Sequence, residues 1–124
     1  MSPKILVVDD DPSSVRIVSA FLKMQHYDVA TAVDGLDALV KIKEYKPDVV
    51  VLDIMMPEIN GYDVCYQLRF NKDFEKIPII LLTVRDQEMG EEIGKRVNIE
   101  YIQKPFQKEV LLEKVKRFLN MKST

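Results

Sequence analysis

Short apolar runs alternate with longer segments of helical period, and this alternation restricts the fold of the chain more than any other feature. Ile5–Val8 reads as a buried strand, and Pro12 to about Gln25 as a helix. Asp11 is placed to cap that helix, and Pro12 sits at its first position, where a missing N–H costs nothing. Asp28 to Ala32 forms a weak strand. Asp34–Gly35 opens a second helix, with Leu36, Leu39, Val40 and Ile42 at helical spacing. Pro47 stops it, because the residue before a proline avoids the α region. Val49–Leu52 is an uninterrupted run of the kind covered on both faces.

A loop through Pro57 and Gly61 then leads to a helix carrying Val64 and Leu68. Ile77–Leu82 reads as the fourth strand, with Pro78 tolerable near its start. A charged helix to about Arg96 follows, then a short strand through Ile99, Tyr101 and Ile102. The final amphipathic helix runs from Lys108 to Leu119, with Leu111, Leu112, Val115, Phe118 and Leu119 facing inward. Five strand–helix units in succession predict an α/β fold with a parallel sheet, right-handed crossovers and helices on both faces.

The chain is long enough for one such domain, expected to span residues 1–124, and too short for two. Hydrophobic residues make up 47% and charged residues 31%, which supports a packed core rather than disorder. Cys65 is the single cysteine and His26 the single histidine. An internal disulfide, a multi-cysteine zinc site and any site needing two histidines are therefore excluded. A formal net charge of −2 argues against a broad nucleic-acid footprint. The run Ile5–Val8 is too short for a signal sequence, and no stretch approaches the roughly 20 apolar residues of a membrane span. A cytoplasmic protein with neither nucleic acid nor membrane as a direct partner is expected.

In parallel sheets of this kind, ligands bind beyond the carboxyl ends of the strands. Asp9–Asp10 follow the first strand, Asp53 the third, Thr83 ends the fourth, and Lys104–Pro105 follow the fifth. Three carboxylates, a hydroxyl and an ammonium are thereby brought to one edge. Crowded carboxylates repel, and a hard divalent cation with oxygen ligands relieves the repulsion. Asp53, beside such an ion and opposite Lys104, would be an anionic nucleophile toward phosphorus that needs no general base.

With these residues in place, the sequence resembles the receiver domains of two-component response regulators, the chemotaxis-regulator-like family. The matching stretches are Lys4–Asp10, Asp53–Gly61, Leu82–Thr83 and Lys104–Phe106, and the likeness runs over essentially the whole chain. The resemblance implies a flavodoxin-like, doubly wound (βα)5 sandwich with strand order 2-1-3-4-5. It implies that Asp53 accepts a phosphoryl group from a sensor histidine kinase or a histidine phosphotransfer protein. Asp9, Asp10, Asp53 and the backbone carbonyl of Met55 would hold Mg²⁺. Lys104, preceding a cis Pro105, would contact the phosphoryl group, and Thr83 and Tyr101 would form a switch pair. The surface of the fourth helix, fifth strand and fifth helix would then engage a downstream effector protein. Such a domain is a switch, not a turnover enzyme.

Two departures stand out. Val84 occupies a position where the family usually has a small residue, and Val97–Asn98 replace the usual Gly-Ala before the fifth strand. Several other features have ordinary readings. Asp11 fits a helix cap better than a metal ligand. His26 is expected on the surface after the first helix, and Cys65 is expected in packing. The apolar stripe of the first helix spans about 160°, so some of its edge should stay exposed. The resemblance implies that this helix borders the active site and meets the histidine donor, which makes Ser14, Ile17 and Phe21 candidates for docking the phosphodonor protein.

Three rival readings fit the sequence less well than the switch. An aspartyl phosphatase would carry a second Asp where Met55 stands. A flavin- or nucleotide-binding module would need a glycine-bearing phosphate loop where Asp9–Pro12 stand. A degenerate receiver would lack part of the five-residue set.

Overall fold

A computed structural model describes residues 2–56, 60–83 and 98–122. Its elements are β1 (Lys4–Val8), α1 (Pro12–Lys23), β2 (Asp28–Ala32), α2 (Gly35–Tyr45), β3 (Val49–Asp53), α3 (Gly61–Arg69), β4 (Ile79–Thr83), β5 (Ile99–Gln103) and α4 (Lys108–Lys122). The charged helix expected to about Arg96, and the position of Val84, lie outside the described residues. The strands pair in parallel in the order β2-β1-β3-β4-β5. This is the doubly wound, flavodoxin-like arrangement, and it places β1 and β3 side by side at the point where the winding reverses.

Strand pleating divides the core in two. Leu6, Val8, Val50, Leu52, Ile79 and Leu81 point to one face, where α2 and α3 add Ala38, Ile42, Val64, Cys65 and Leu68. Ile5, Val7, Val49, Val51, Ile80 and Leu82 point to the other, where α1 and α4 add Val18, Leu22, Leu111, Val115 and Phe118. Alternate residues of Ile5–Val8, Val49–Leu52 and Ile79–Leu82 serve opposite cores, so these runs must be apolar throughout.

Helix starts follow local chemistry. The Asp11 carboxylate caps α1 by accepting from Ser13 N–H at 3.1 Å and Ser14 Oγ at 3.0 Å. Asn60 and Asp63 form a reciprocal capping box at α3, each side chain accepting from the other's backbone N–H at 3.0 and 3.2 Å. His26, exposed, takes a left-handed φ of 65° just past α1.

Two expectations shift. β4 begins at Ile79 rather than Ile77, because Pro78 lacks an N–H for the ladder and takes part only as an acceptor, its carbonyl receiving Val50 N–H at 2.9 Å. On α2 the buried stripe centres on Ala38 and Ile42, while Leu36 and Val40 are exposed.

Candidate metal and phosphoryl site

Asp9 leaves β1 and Asp53 ends β3, so the parallel pairing of these strands sets two carboxylates side by side. Asp10, the next residue, brings a third. One carboxylate oxygen from each of the three lies within 4.8 Å of the others. Asp9 and Asp53 are buried and Asp10 is exposed, so the cluster opens to solvent on one side. Lys104, just past β5, reaches across the edge. Its Nζ is 3.6 Å from Asp53 Oδ1 and 3.7 Å from Asp9 Oδ2.

The hydrogen bonds are unevenly shared. Asp9 Oδ1 accepts from Asp11 N–H at 2.9 Å, and Asp53 Oδ1 from Met55 N–H at 3.2 Å. Asp9 Oδ2 is buried with no hydrogen-bond partner among the described residues. Burial pushes the Asp9 carboxyl above the ordinary range, and the charge of Asp53 adds to this. The Asp11 N–H and the Lys104 ammonium work against it. An orphaned carboxylate oxygen among three acids, all offering oxygen donors, is a chemical fit for a small, hard divalent cation.

Thr83 is buried at the end of β4, the strand next to Asp53, and its carbonyl accepts from Lys104 N–H at 2.6 Å. The Lys104–Pro105 peptide is cis. Tyr101 stands apart from the acids. It lies on β5 opposite Leu81 and packs on the core shared with α2 and α3. Its hydroxyl is buried without a hydrogen-bond partner among the described residues. Burial raises the pKa of that hydroxyl, and Tyr62, Cys65 and Tyr66 add to the rise. Met55 exposes its side chain. Ser14, Ile17 and Phe21 line a groove of about 600 Å³ together with Phe106, and Asp9 and Lys104 form its inner end.

One positioning residue was not singled out by sequence reasoning. A side chain on Gly61 would put its Cβ 2.6 Å from the Asp53 carbonyl oxygen and 2.8 Å from Ile54 Cα. The N–H of Gly61 donates to the Ile54 carbonyl at 3.0 Å. Glycine thus lets the start of α3 rest directly on the chain leaving Asp53. The only sequence signal was the presence of Gly61 in the matching stretch.

Sheet order and site together define a flavodoxin-like domain whose switch-point edge carries three acids and an opposing lysine. The chain belongs to the response regulator receiver domain family, whose model matches residues 5–116. It is 42% identical over 120 residues to the alkaline phosphatase synthesis transcriptional regulatory protein PhoP of Bacillus subtilis, covering 96% of this chain and 49% of that protein. It is 39% identical to Protein PilG of Pseudomonas aeruginosa, covering 91% of this chain and 84% of the other. It spans about half the length of several curated relatives, PhoP among them. Among solved structures, the chemotaxis protein CheY4 of Vibrio cholerae superposes with a TM-score of 0.86 at 32% identity, over 95% of this chain and 99% of that one. The BeF3-activated DrrB receiver domain superposes with a TM-score of 0.81 at 38% identity, over 97% and 99%. Receiver domains are signalling switches of two-component systems and are not, as a rule, turnover enzymes. Among the described residues, no helix is long and apolar enough to cross a membrane.

Proposed function

We propose that this receiver domain is switched by phosphorylation of Asp53, with a sensor histidine kinase or a histidine phosphotransfer protein as donor. The observation that carries this reading is the cluster of Asp9, Asp10 and Asp53 with the Lys104 ammonium held between two of them. Asp9, Asp10, Asp53 and the carbonyl of Met55 would hold Mg²⁺. When bound, Mg²⁺ supplies positive charge that offsets the clustered acids and the phosphoryl oxygens.

The remaining chemistry belongs to the chain. An Asp53 carboxylate oxygen attacks the phosphorus of the donor's phosphohistidine. The new O–P bond forms as the P–N bond breaks, and the bonding pair returns to the imidazole nitrogen. The product is an acyl phosphate on Asp53 and, once the leaving nitrogen takes a proton from solvent, a free histidine on the donor. Met55 N–H fixes the carboxylate in place before attack. The Lys104 amine lies beyond ordinary hydrogen-bond length from both acids, so it is free to turn to a phosphoryl oxygen. The Thr83 hydroxyl donates to another.

Contacts from the phosphoryl group to Thr83 and Lys104 bias the domain toward a second arrangement, with Tyr101 moving in concert. The altered surface around β5 and α4 then binds a downstream effector protein in the cytoplasm. Ser14, Ile17 and Phe21 dock the donor, since their groove ends at Asp9 and Lys104.

The test is incubation with acetyl phosphate and MgCl2, followed by intact-mass measurement. A single phosphoryl adduct is expected, removed by hydroxylamine and absent from Asp53→Ala or without Mg²⁺. An adduct that survives hydroxylamine, or that forms on Asp53→Ala, overturns the assignment.

A further inference from the structure

At the edge of the sheet opposite the acid pocket, where the strands begin, lies a groove of about 1060 Å³. This is slightly above the roughly 300–1,000 Å³ typical of ligand-holding clefts. One wall is the C-terminal end of α2, and the other is the chain leading from α3 into β4. Lys43 and Lys46 stand on the first wall, and Lys72 and Lys76 on the second, against Asp73 and Glu75. Four cations face two anions here, in a chain whose formal net charge is −2. All four lysines are exposed, and none is in an ion pair among the described residues.

Lys43 and Lys46 complement the negative end of the α2 dipole. That reason does not extend to Lys76, which sits on non-helical backbone across the groove. The floor between the walls is apolar, with Pro47 and Pro78 buried and Phe74 half-buried. The second wall is braced from behind. Arg69 Nη2 donates to the carbonyls of Ile77 at 2.7 Å and Asn98 at 3.2 Å, and Asn98 Nδ2 donates to the Lys76 carbonyl at 3.0 Å. A braced groove loses little entropy on filling.

We propose that this groove docks an acidic segment of a partner protein, with an apolar side chain of that segment seated on Phe74. The four amines match carboxylates along such a segment, and its peptide N–H groups can pair with Asp73 and Glu75. A nucleic-acid backbone would meet those two acids as unrelieved repulsion, and a bilayer would meet a concave surface it cannot follow. Since the groove lies at the far edge of the sheet from Asp53, docking there does not obstruct the phosphorylation site.

The test is a titration of the 15N-labelled chain, followed by amide shifts, with a short synthetic peptide of glutamates flanking one phenylalanine. Saturable shifts confined to residues 43–46 and 71–77 are expected, alike with and without acetyl phosphate and MgCl2. Lys43→Glu/Lys72→Glu should weaken binding by about tenfold or more. The unchanged remainder of its spectrum would report an intact fold. If that variant unfolds, Lys43→Gln/Lys72→Gln supplies the same comparison, with a smaller loss. Absent or scattered shifts overturn the proposal. Equal binding by the lysine counterpart of the peptide, by a single-stranded RNA or by phosphatidylserine vesicles also overturns it.

Discussion

A methyl group on residue 61 would lie 2.6 Å from one backbone atom and 2.8 Å from another, and neither can rotate away. Gly61→Ala must therefore push α3 off the turn that follows Asp53. Overpacking of this kind costs about 1–3 kcal/mol, so a lower urea midpoint is expected, together with slower labelling of Asp53 by acetyl phosphate. An unchanged midpoint and an unchanged rate would show that the turn yields freely. Cys65 supplies a second check at this scale. Burial pushes its thiol up to about 11, with Arg69 opposing only in part. At pH 8 about one such thiol in a thousand is ionised, and the sulfur is also out of reach. Native protein should leave DTNB unreacted over hours and react fully in urea; rapid native reaction would mean that the α3 face opens. The gathering of Asp9, Asp10 and Asp53 at one edge was legible in the sequence because these acids end apolar runs, whereas Lys104 follows a strand broken by Glu100 and Gln103 and was legible only from its place after the fifth strand. The reason for Gly61 was not, because a close approach between α3 and the β3 turn exists only in three dimensions.

At the level of elements, the strands were the most readable part, since β-branched and aliphatic runs leave few alternatives. The faces of the helices were less so. Leu36 and Val40 share helical spacing with Ile42, yet they lie about 120–160° around α2 from it and face solvent. Ala38 fills the core side instead, where the small residue lets the helix sit close to the sheet. Arg69 gave no sign of burial in the sequence. Arg69 is 6% exposed because its guanidinium closes the gap between the entries of β4 and β5, donating to the carbonyls of Ile77 and Asn98 just before them. On α1 the wide apolar stripe leaves Ile17 54% exposed at the mouth of the groove that ends at Asp9. Ile17→Glu should slow transfer from a phosphorylated histidine donor by about tenfold, the usual effect of losing one apolar anchor at an interface. Labelling by acetyl phosphate should be unaffected, as should the thermal midpoint. Equal slowing with both donors would place Ile17 in the chemistry or the fold and not in docking.

The molecule as a whole holds its acids against their own repulsion. Two well-packed cores, one on each face of the sheet, fix β1 and β3 in register, so Asp9 and Asp53 cannot separate to relieve their charges. In the raised Asp9 pKa, burial is the leading cause and Asp53 a further one, and a raised carboxyl pKa means that the folded state disfavours the ionised form. The contribution of Asp9 to stability is thus fully present below its unfolded value and is lost as pH rises through the folded one. Near neutral pH it is a cost. Asp9→Asn removes the charge and keeps an acceptor for Asp11 N–H, though it gives up the attraction of Lys104 at 3.7 Å. Since desolvation and repulsion outweigh that attraction, the variant should be more stable in EDTA, by about 1 kcal/mol or a few degrees in Tm. Mg²⁺ should reverse the order. Ligand in hundredfold excess over its Kd adds about 2.7 kcal/mol to the state that binds it, and only the wild-type chain retains the full set of acids. Thermal melts of both proteins at pH 7, with EDTA and across a MgCl2 series, should therefore cross. If wild-type Tm did not respond to Mg²⁺, the cluster would not be a metal site. If Asp9→Asn melted lower in EDTA, the Lys104 ion pair would outweigh the burial of Asp9, and the edge would be held together by its charges.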